Sequence, residues 1–114
     1  MITKGDILLI ELGTDGTVGS EQMGTRPCAV VSNNIGNKFS PCITVAMITS
    51  KENKPGLPTH VELAEGAFGL NKKSIILCEQ LRTIDKLRII HKLGKLSDGA
   101  VHQLNFALIQ ALAL

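Results

Sequence analysis

Short apolar runs, separated by polar and glycine-rich stretches, predict a protein made mainly of β-strands. Residues 7–10 form a continuous apolar run, which is typical of a strand buried on both faces. Residues 28–31 form a second run directly behind a proline, and proline is tolerated at the first residue of a strand. Residues 43–49 are rich in β-branched side chains and predict the clearest strand, ending at Thr49.

The second half of the chain predicts shorter extended segments and one closing helix. Residues 59–63 alternate apolar with polar side chains, as an edge or half-exposed strand does, and residues 74–78 predict a fifth strand. Residues 82–85 and 88–91 are expected to be two further short extended pieces. Ser97 is a suitable N-cap for a helix whose apolar residues recur at helical spacing, namely Val101, Leu104, Leu108, Ala111 and Leu112. The expected fold class is mainly β (α+β), a small and strongly bent sheet or barrel closed by a C-terminal helix.

Two polar segments interrupt the predicted strands. Residues 13–25 contain four glycines and no apolar period, which predicts a long loop, and loops of this length in small domains are usually functional. The dipeptides Asn33-Asn34 and Gly36-Asn37 are expected to mark a turn.

Composition narrows the classes of protein that the chain can belong to. Its 114 residues, 44% of them hydrophobic, predict one globular domain spanning residues 1–114. Only 3% are aromatic, which argues against a row of aromatic stacking platforms, and the three Phe are expected in the core. The three Cys have no CxxC spacing, so they predict buried thiols and neither a disulfide framework nor a zinc site.

Charge is distributed unevenly along the chain. The net charge is +2, but residues 72–95 hold seven Lys or Arg and two acids. This stretch is a candidate phosphate-facing surface, and the alternative is an ordinary solvated face. The chain shows no charged-then-apolar leader and no apolar run near the roughly 18 residues of a membrane span, so the cytoplasm is the expected compartment.

Polar side chains at the ends of predicted elements are the candidates for chemistry. Phosphate-binding loops, nucleophile elbows and zinc-binding helix motifs are absent, and the three His are expected to be surface or satisfied residues. The candidates that remain are Ser20, Glu21, Gln22, Arg26, Thr49, Glu79 and Gln80. Arg26 offers a planar fork of donors to a phosphate and Thr49 adds a hydroxyl. Without further context, a surface ion pair for Arg26 and an ordinary strand threonine for Thr49 are commoner explanations than catalysis.

The spacing of these residues adds a family resemblance. Gly19-Ser20-Glu21-Gln22-x-Gly24-x-Arg26-Pro27, then Gly36-Asn37, Ile48-Thr49 and Glu79-Gln80-Leu81-Arg82-Thr83-Ile84-Asp85, resembles the MazF/PemK toxin ribonucleases over nearly the whole chain. The resemblance implies a toxin of a toxin-antitoxin pair with an SH3-like barrel of the MazF/CcdB type. It also implies a homodimer that binds single-stranded RNA across its interface, with no metal or other cofactor and no membrane.

The resemblance also implies roles for individual residues. Arg26 and Thr49 would be the catalytic pair, while Ser20, Gln22, Glu79 and Gln80 would bind the RNA. The expected reaction is attack of a ribose 2′-OH on the adjacent phosphate, which leaves a 2′,3′-cyclic phosphate and a free 5′-OH. An arginine with a pKa above about 12 is a poor proton acceptor, so Arg26 is expected to stabilise charge. Glu21 is then the first candidate for the catalytic base and Glu79 the second.

Partners and alternatives follow from the same resemblance. An acidic antitoxin with a flexible C-terminal segment is expected to cover the basic RNA-binding groove. Leu77 stands where some relatives carry a basic residue, so a mechanism that needs that residue is not expected.

Two competing hypotheses remain. One is a toxin of the same architecture that poisons DNA gyrase, because fold alone does not decide function. The other is a non-catalytic RNA-binding barrel.

Overall fold

A computed structural model describes residues 1–13, 24–50 and 56–114 of the chain. Within these residues it has six strands, two α-helices and two short 3₁₀ turns. They are β1 (Asp6–Glu11), β2 (Thr25–Val30), α1 (Asn34–Phe39), β3 (Cys42–Thr49), β4 (His60–Leu63), a turn at Ala67–Gly69, β5 (Ser74–Asp85), a turn at Lys86–Arg88, β6 (Ile89–Lys95) and α2 (Asp98–Leu112).

The six strands form one antiparallel sheet in the order β4-β5-β3-β2-β1-β6. Strand β4 lies at one edge, as its alternating pattern predicts, and β6 lies at the other edge. The predicted C-terminal helix is present, and the side chain of Ser97 caps it by accepting a hydrogen bond from the backbone N–H of Ala100. The mainly β fold with a closing helix is therefore confirmed.

Both faces of the sheet are covered, so the fold has two hydrophobic cores. The first core packs between the sheet and α2 and includes Ile7, Ala29, Ile48, Ile76 and Leu104. The second core lies on the other face and includes Leu8, Cys28, Val45, Met47 and Ile84. Successive side chains of a strand point to opposite faces, which explains why the central strands β1 to β3 are continuous apolar runs.

The segment between β2 and β3 differs from the predicted turn. Residues 34–39 form the short helix α1, and the side chain of Asn33 caps it by accepting a hydrogen bond from the N–H of Gly36 at 2.7 Å. Asn37 is 2% exposed, and its amide donates to the carbonyl of Ser32 at 2.9 Å. The asparagines that suggested a turn therefore serve as a helix cap and a buried hydrogen-bonding residue, two roles that their short polar side chains also favour.

Two further expectations are corrected. Residues 74–78 and 82–85 belong to one continuous strand, β5, because an irregularity in its pairing with β3 interrupts the apolar pattern without ending the strand. Phe39 and Phe106 are 74% and 61% exposed, so the expectation that all three Phe lie in the core is wrong. Small residues such as Ala100 and Ala107 bring α2 close to the sheet, and they occupy core positions that an aromatic ring cannot share.

Asp6 is a buried acid at the start of β1. It is fully buried, and its carboxylate accepts hydrogen bonds from the backbone N–H of Thr3 at 2.8 Å and from the Thr3 hydroxyl at 3.0 Å. Lys92 of β6 pairs with the same carboxylate at 3.1 Å. Burial alone raises the pKa of Asp6, but the contacts from Thr3 and Lys92 outweigh it and the pKa lies below its usual value of 3.8.

This carboxylate predicts a pH dependence of stability. A group whose pKa is lower in the folded state stabilises the fold above its unfolded pKa, and that contribution is lost as the pH falls toward the folded pKa. The free energy of unfolding should therefore decrease below about pH 4. We expect Asp6→Asn to cost about 2 kcal/mol at neutral pH and to flatten the decrease below pH 4. Urea titrations over this pH range measure both effects, with the exposed acid Glu65→Gln as the control. An Asp6→Asn protein with the wild-type slope would contradict the prediction.

Candidate active site

Arg26 and Thr49 lie at the same end of two neighbouring strands. Arg26 is the second residue of β2, and Thr49 is the last residue of the neighbouring antiparallel strand β3. Cys28 is opposite Met47, and each step back along β2 is matched by one step forward along β3. Continuing this register by two residues beyond the paired segment places Arg26 opposite Thr49.

The two side chains also share a face of the sheet. Cys28 and Met47 belong to the second core, and residues two apart on a strand point to the same side, so Arg26 and Thr49 point to that side as well. Thr49 is 5% exposed and Arg26 is exposed. This is the arrangement that a phosphate-binding arginine beside a positioned hydroxyl requires.

Arg82 brings a second cation to this face. It is opposite Val45 of β3, which lies in the second core, and directly opposite residues in a sheet point to the same side. Burial raises the pKa of the Cys28 thiol and the charge of Arg82 opposes that rise, as expected for a guanidinium near this part of the sheet. The sequence places Arg82 in the basic stretch at residues 72–95 and in the motif of the family resemblance, but does not indicate it as a site residue.

A bulge in β5 carries the next two candidate residues. Leu81 is opposite Ala46 and Leu77 is opposite Met47, so residues 78–80 lie in a bulge, outside the one-to-one pairing with β3. Glu79 is exposed and Gln80 is half-buried. Met47 precedes Thr49 by two residues, or about 7 Å along a strand. Bulges redirect side chains and are common beside active sites. This bulge places Glu79 and Gln80 near the end of β3 that carries Thr49.

Glu79 is held by two side chains from the β4 region. Its Oε1 accepts a hydrogen bond from the Thr59 hydroxyl at 3.0 Å, and its Oε2 is 2.9 Å from Nε2 of His60. Partial burial raises the pKa of Glu79, but the hydrogen bonds from His60, from its own backbone N–H and from Thr59 outweigh burial and lower the pKa overall. A carboxylate held in its ionised form is a poorer proton acceptor, which weighs against Glu79 as the base.

The candidates Ser20, Glu21 and Gln22 lie outside the described residues, and Glu11 contacts the residues on either side of their segment. The carboxylate of Glu11 accepts hydrogen bonds from the N–H of Gly13 at 2.8 Å and from the hydroxyl of Thr25 at 2.7 Å. The hydrogen bond from Thr25, the bond from Gly13 and the charge of Arg88 lower its pKa. Glu11 therefore fixes the strand ends next to Arg26. Sequence reasoning missed this role, although an acid that ends an apolar strand before a glycine-rich segment is a signal for it.

The remaining titratable groups serve structural roles. Burial raises the pKa of the Cys28 thiol to about 12 and that of Cys78 to about 11, so neither is a nucleophile at neutral pH. In the described part of the chain, no cluster of three or more His, Cys, Asp or Glu side chains could hold a metal ion. Of the basic stretch, Lys92 is paired with Asp6, and Arg88 donates to the backbone carbonyl of Glu11 at 3.2 Å.

No helix among the described residues is long and apolar enough to cross a membrane.

Solved structures share the fold of this chain. A mycobacterial endoribonuclease in complex with its cognate antitoxin matches with a TM-score of 0.83, covering 100% of this chain and 97% of that chain at 22% identity. MazF from Deinococcus radiodurans matches with a TM-score of 0.79, covering 99% of this chain and 97% of that one at 21% identity.

Sequence comparison identifies the family. The chain is 44% identical over 114 residues to Endoribonuclease MazF of Staphylococcus saprophyticus, covering 100% of this chain and 93% of the relative. The model of the "PemK-like, MazF-like toxin of type II toxin-antitoxin system" family matches residues 3–112. The chain therefore belongs to the PemK-like, MazF-like toxin family.

Proposed function

We propose that this protein is the toxin of a type II toxin-antitoxin system and a metal-independent, sequence-specific endoribonuclease that cleaves single-stranded mRNA in the cytoplasm. Family membership supports the activity. The observation that supports the site is the register between β2 and β3, which, continued by two residues, brings Arg26 opposite Thr49 on the same face of the sheet.

The proposed reaction is a transesterification within the RNA. The ribose 2′-oxygen forms a bond to the adjacent phosphorus, and the bond from phosphorus to the 5′-oxygen of the next nucleotide breaks. A 2′,3′-cyclic phosphate and a free 5′-OH result. The 2′-OH proton passes to a base and the leaving oxygen gains a proton. DNA lacks the 2′-OH and therefore cannot react.

Each residue then has a defined task. Arg26 stabilises the negative charge that develops on the phosphoryl oxygens, and Thr49 donates a hydrogen bond to the same group. Glu21 is our candidate for the base, because it precedes Arg26 closely in the chain and because the contacts of Glu79 weigh against the alternative. Ser20, Gln22 and Gln80 are proposed to bind the RNA, together with Glu79.

The partners are proposed from the same family. One similar structure holds an endoribonuclease with its cognate antitoxin, and another holds MazE with MazF from Deinococcus radiodurans. We propose that this chain forms a homodimer and is neutralised by an acidic antitoxin that covers the RNA-binding face. An acidic segment suits a face that carries Arg26 and Arg82.

Incubation of the purified protein with a long single-stranded RNA in excess EDTA tests the activity. We expect discrete fragments whose new 5′ ends accept phosphate from a polynucleotide kinase, because cleavage leaves them unphosphorylated. A matched DNA strand should stay intact. Absence of fragments at every protein concentration would contradict the nuclease, and inhibition of DNA gyrase by the same preparation would favour the gyrase hypothesis instead.

A further inference from the structure

We propose that His60 is a positioning residue for RNA binding, which acts by fixing the Glu79 carboxylate on the bulge of β5. This inference rests on the proposed ribonuclease function and assigns a part in it to a residue outside the catalytic pair.

The bulge is contacted from the β4 side. Residues 78–80 lie outside the one-to-one pairing with β3, and Cys78 and Glu79 make hydrogen bonds with residues at the start of β4. The N–H of Cys78 donates to the carbonyl of Thr59 at 2.9 Å, and the Thr59 hydroxyl donates to Glu79. His60 completes this set of contacts through Nε2.

His60 is itself fixed in one orientation. Its side chain is 3% exposed, and its Nδ1 accepts a hydrogen bond from the backbone N–H of Leu57 at 3.4 Å. With Nδ1 accepting, the neutral ring carries its proton on Nε2 and donates it to Glu79. A buried ring that is bonded at both nitrogens has one way to present its donor.

The Glu79 carboxylate retains capacity for a further partner. A carboxylate has about four acceptor sites, and the contacts from His60, Thr59 and the backbone N–H of Glu79 occupy three of them. Its side chain is 35% exposed, so the remaining site can be reached from solvent. A fixed negative charge repels phosphate, whereas it accepts hydrogen bonds from the N–H groups of a nucleobase edge. The chemistry therefore favours contact between Glu79 and a base of the RNA.

Steady-state kinetics on an RNA with a mapped cleavage site test the role of His60. We expect His60→Ala to raise KM roughly 10-fold, the effect of losing one hydrogen bond to a charged group, and to change kcat less than about threefold. His60→Gln should recover most of the loss, because its amide can place an N–H donor near the position of Nε2. His102→Ala is the control. His60 and His102 both line a groove between β4 and α2, but His102 is not one of the contacts of Glu79 described above, so this variant should keep the wild-type KM.

A double-mutant cycle tests whether His60 acts through Glu79. If it does, His60→Ala combined with Glu79→Ala raises KM no further than Glu79→Ala alone, within about twofold. Effects that multiply would overturn the inference, as would a wild-type KM in His60→Ala. If His60→Ala does not fold, Thr59→Val tests the same carboxylate through its other oxygen, and a wild-type KM there would overturn the inference. A wild-type protein that cuts no RNA would contradict the proposed function itself, which is a separate outcome.

Discussion

Arg26→Ala is expected to lower the rate of RNA cleavage by roughly 10² to 10³-fold, the usual cost of removing one preorganised donor to a developing charge. Arg26 is exposed near the end of β3 that carries Thr49, and in the proposed reaction its loss removes the main positive partner of the phosphoryl group. Single-turnover cleavage of a saturating RNA measures the chemical step. Binding of the RNA should remain detectable, because the other residues proposed to bind it are unchanged.

Three comparison variants make this prediction specific. Thr49→Ala should also lower the rate strongly, and Arg26→Lys should recover only part of it, because an ammonium keeps the charge but loses the planar fork. Lys38→Ala removes the same charge from α1, which connects the other ends of β2 and β3. This variant should cleave RNA like the wild type. Wild-type cleavage by Arg26→Ala or by Thr49→Ala would contradict the site.

Gly94→Ala is expected to destabilise the fold by roughly 3 kcal/mol or more, or to prevent folding. A Cβ at Gly94 would lie 2.0 Å from the carbonyl oxygen of Phe68, and a Cβ at Gly69 would lie 2.0 Å from that of Leu93. The 3₁₀ turn at Ala67–Gly69 and strand β6 thus meet backbone to backbone. Backbone atoms cannot move aside as the end of a side chain can, so the contact must open.

The same substitution elsewhere provides the control. Gly99 lies in the first turn of α2, and a Cβ there would meet nothing within 4 Å. Gly99→Ala should be neutral or should stabilise by up to about 1 kcal/mol, because alanine favours the helix and restricts the unfolded chain. Urea titration of both variants measures the difference. Equal free energies of unfolding for Gly94→Ala and Gly99→Ala would contradict the prediction. They would show that the 3₁₀ turn and β6 can move apart at little cost.

Much of the fold is predictable from hydrophobic periodicity. The central strands are buried on both faces, so each gives a continuous apolar run, and β3 ends at Thr49 as predicted. Ser97 and the apolar spacing behind it place α2 correctly at its start. Local patterns succeed here because burial and capping act over a few neighbouring residues.

Features that depend on contacts distant in sequence are less predictable. Helix α1 is six residues long and contains a glycine, so its stability comes from the Asn33 cap and the buried Asn37 and not from helix propensity. The bulge in β5 exists only relative to β3. The sequence of β5 alone has the pattern of two short strands, so it predicts two strands where the structure has one.

The candidate site also contains one part that the sequence predicts and one part that it does not. Arg26 and Thr49 were predicted as a pair by family resemblance, and the register between β2 and β3 supplies the physical reason for their proximity. The contacts of Glu79 with Thr59 and His60 join β5 to the neighbouring strand across a separation of about twenty residues. No pattern in the sequence around His60 predicts its contact with Glu79.

The bulge of β5 also has an evolutionary consequence. A side chain in a regular ladder is constrained by its cross-strand neighbour, and a change there must suit both strands. Glu79 lies in the bulge, outside the one-to-one pairing with β3, and is contacted by Thr59 and His60 instead. A change at Glu79 in a descendant of this gene must therefore suit Thr59 and His60, while the pairing register between β3 and β5 can be inherited unchanged.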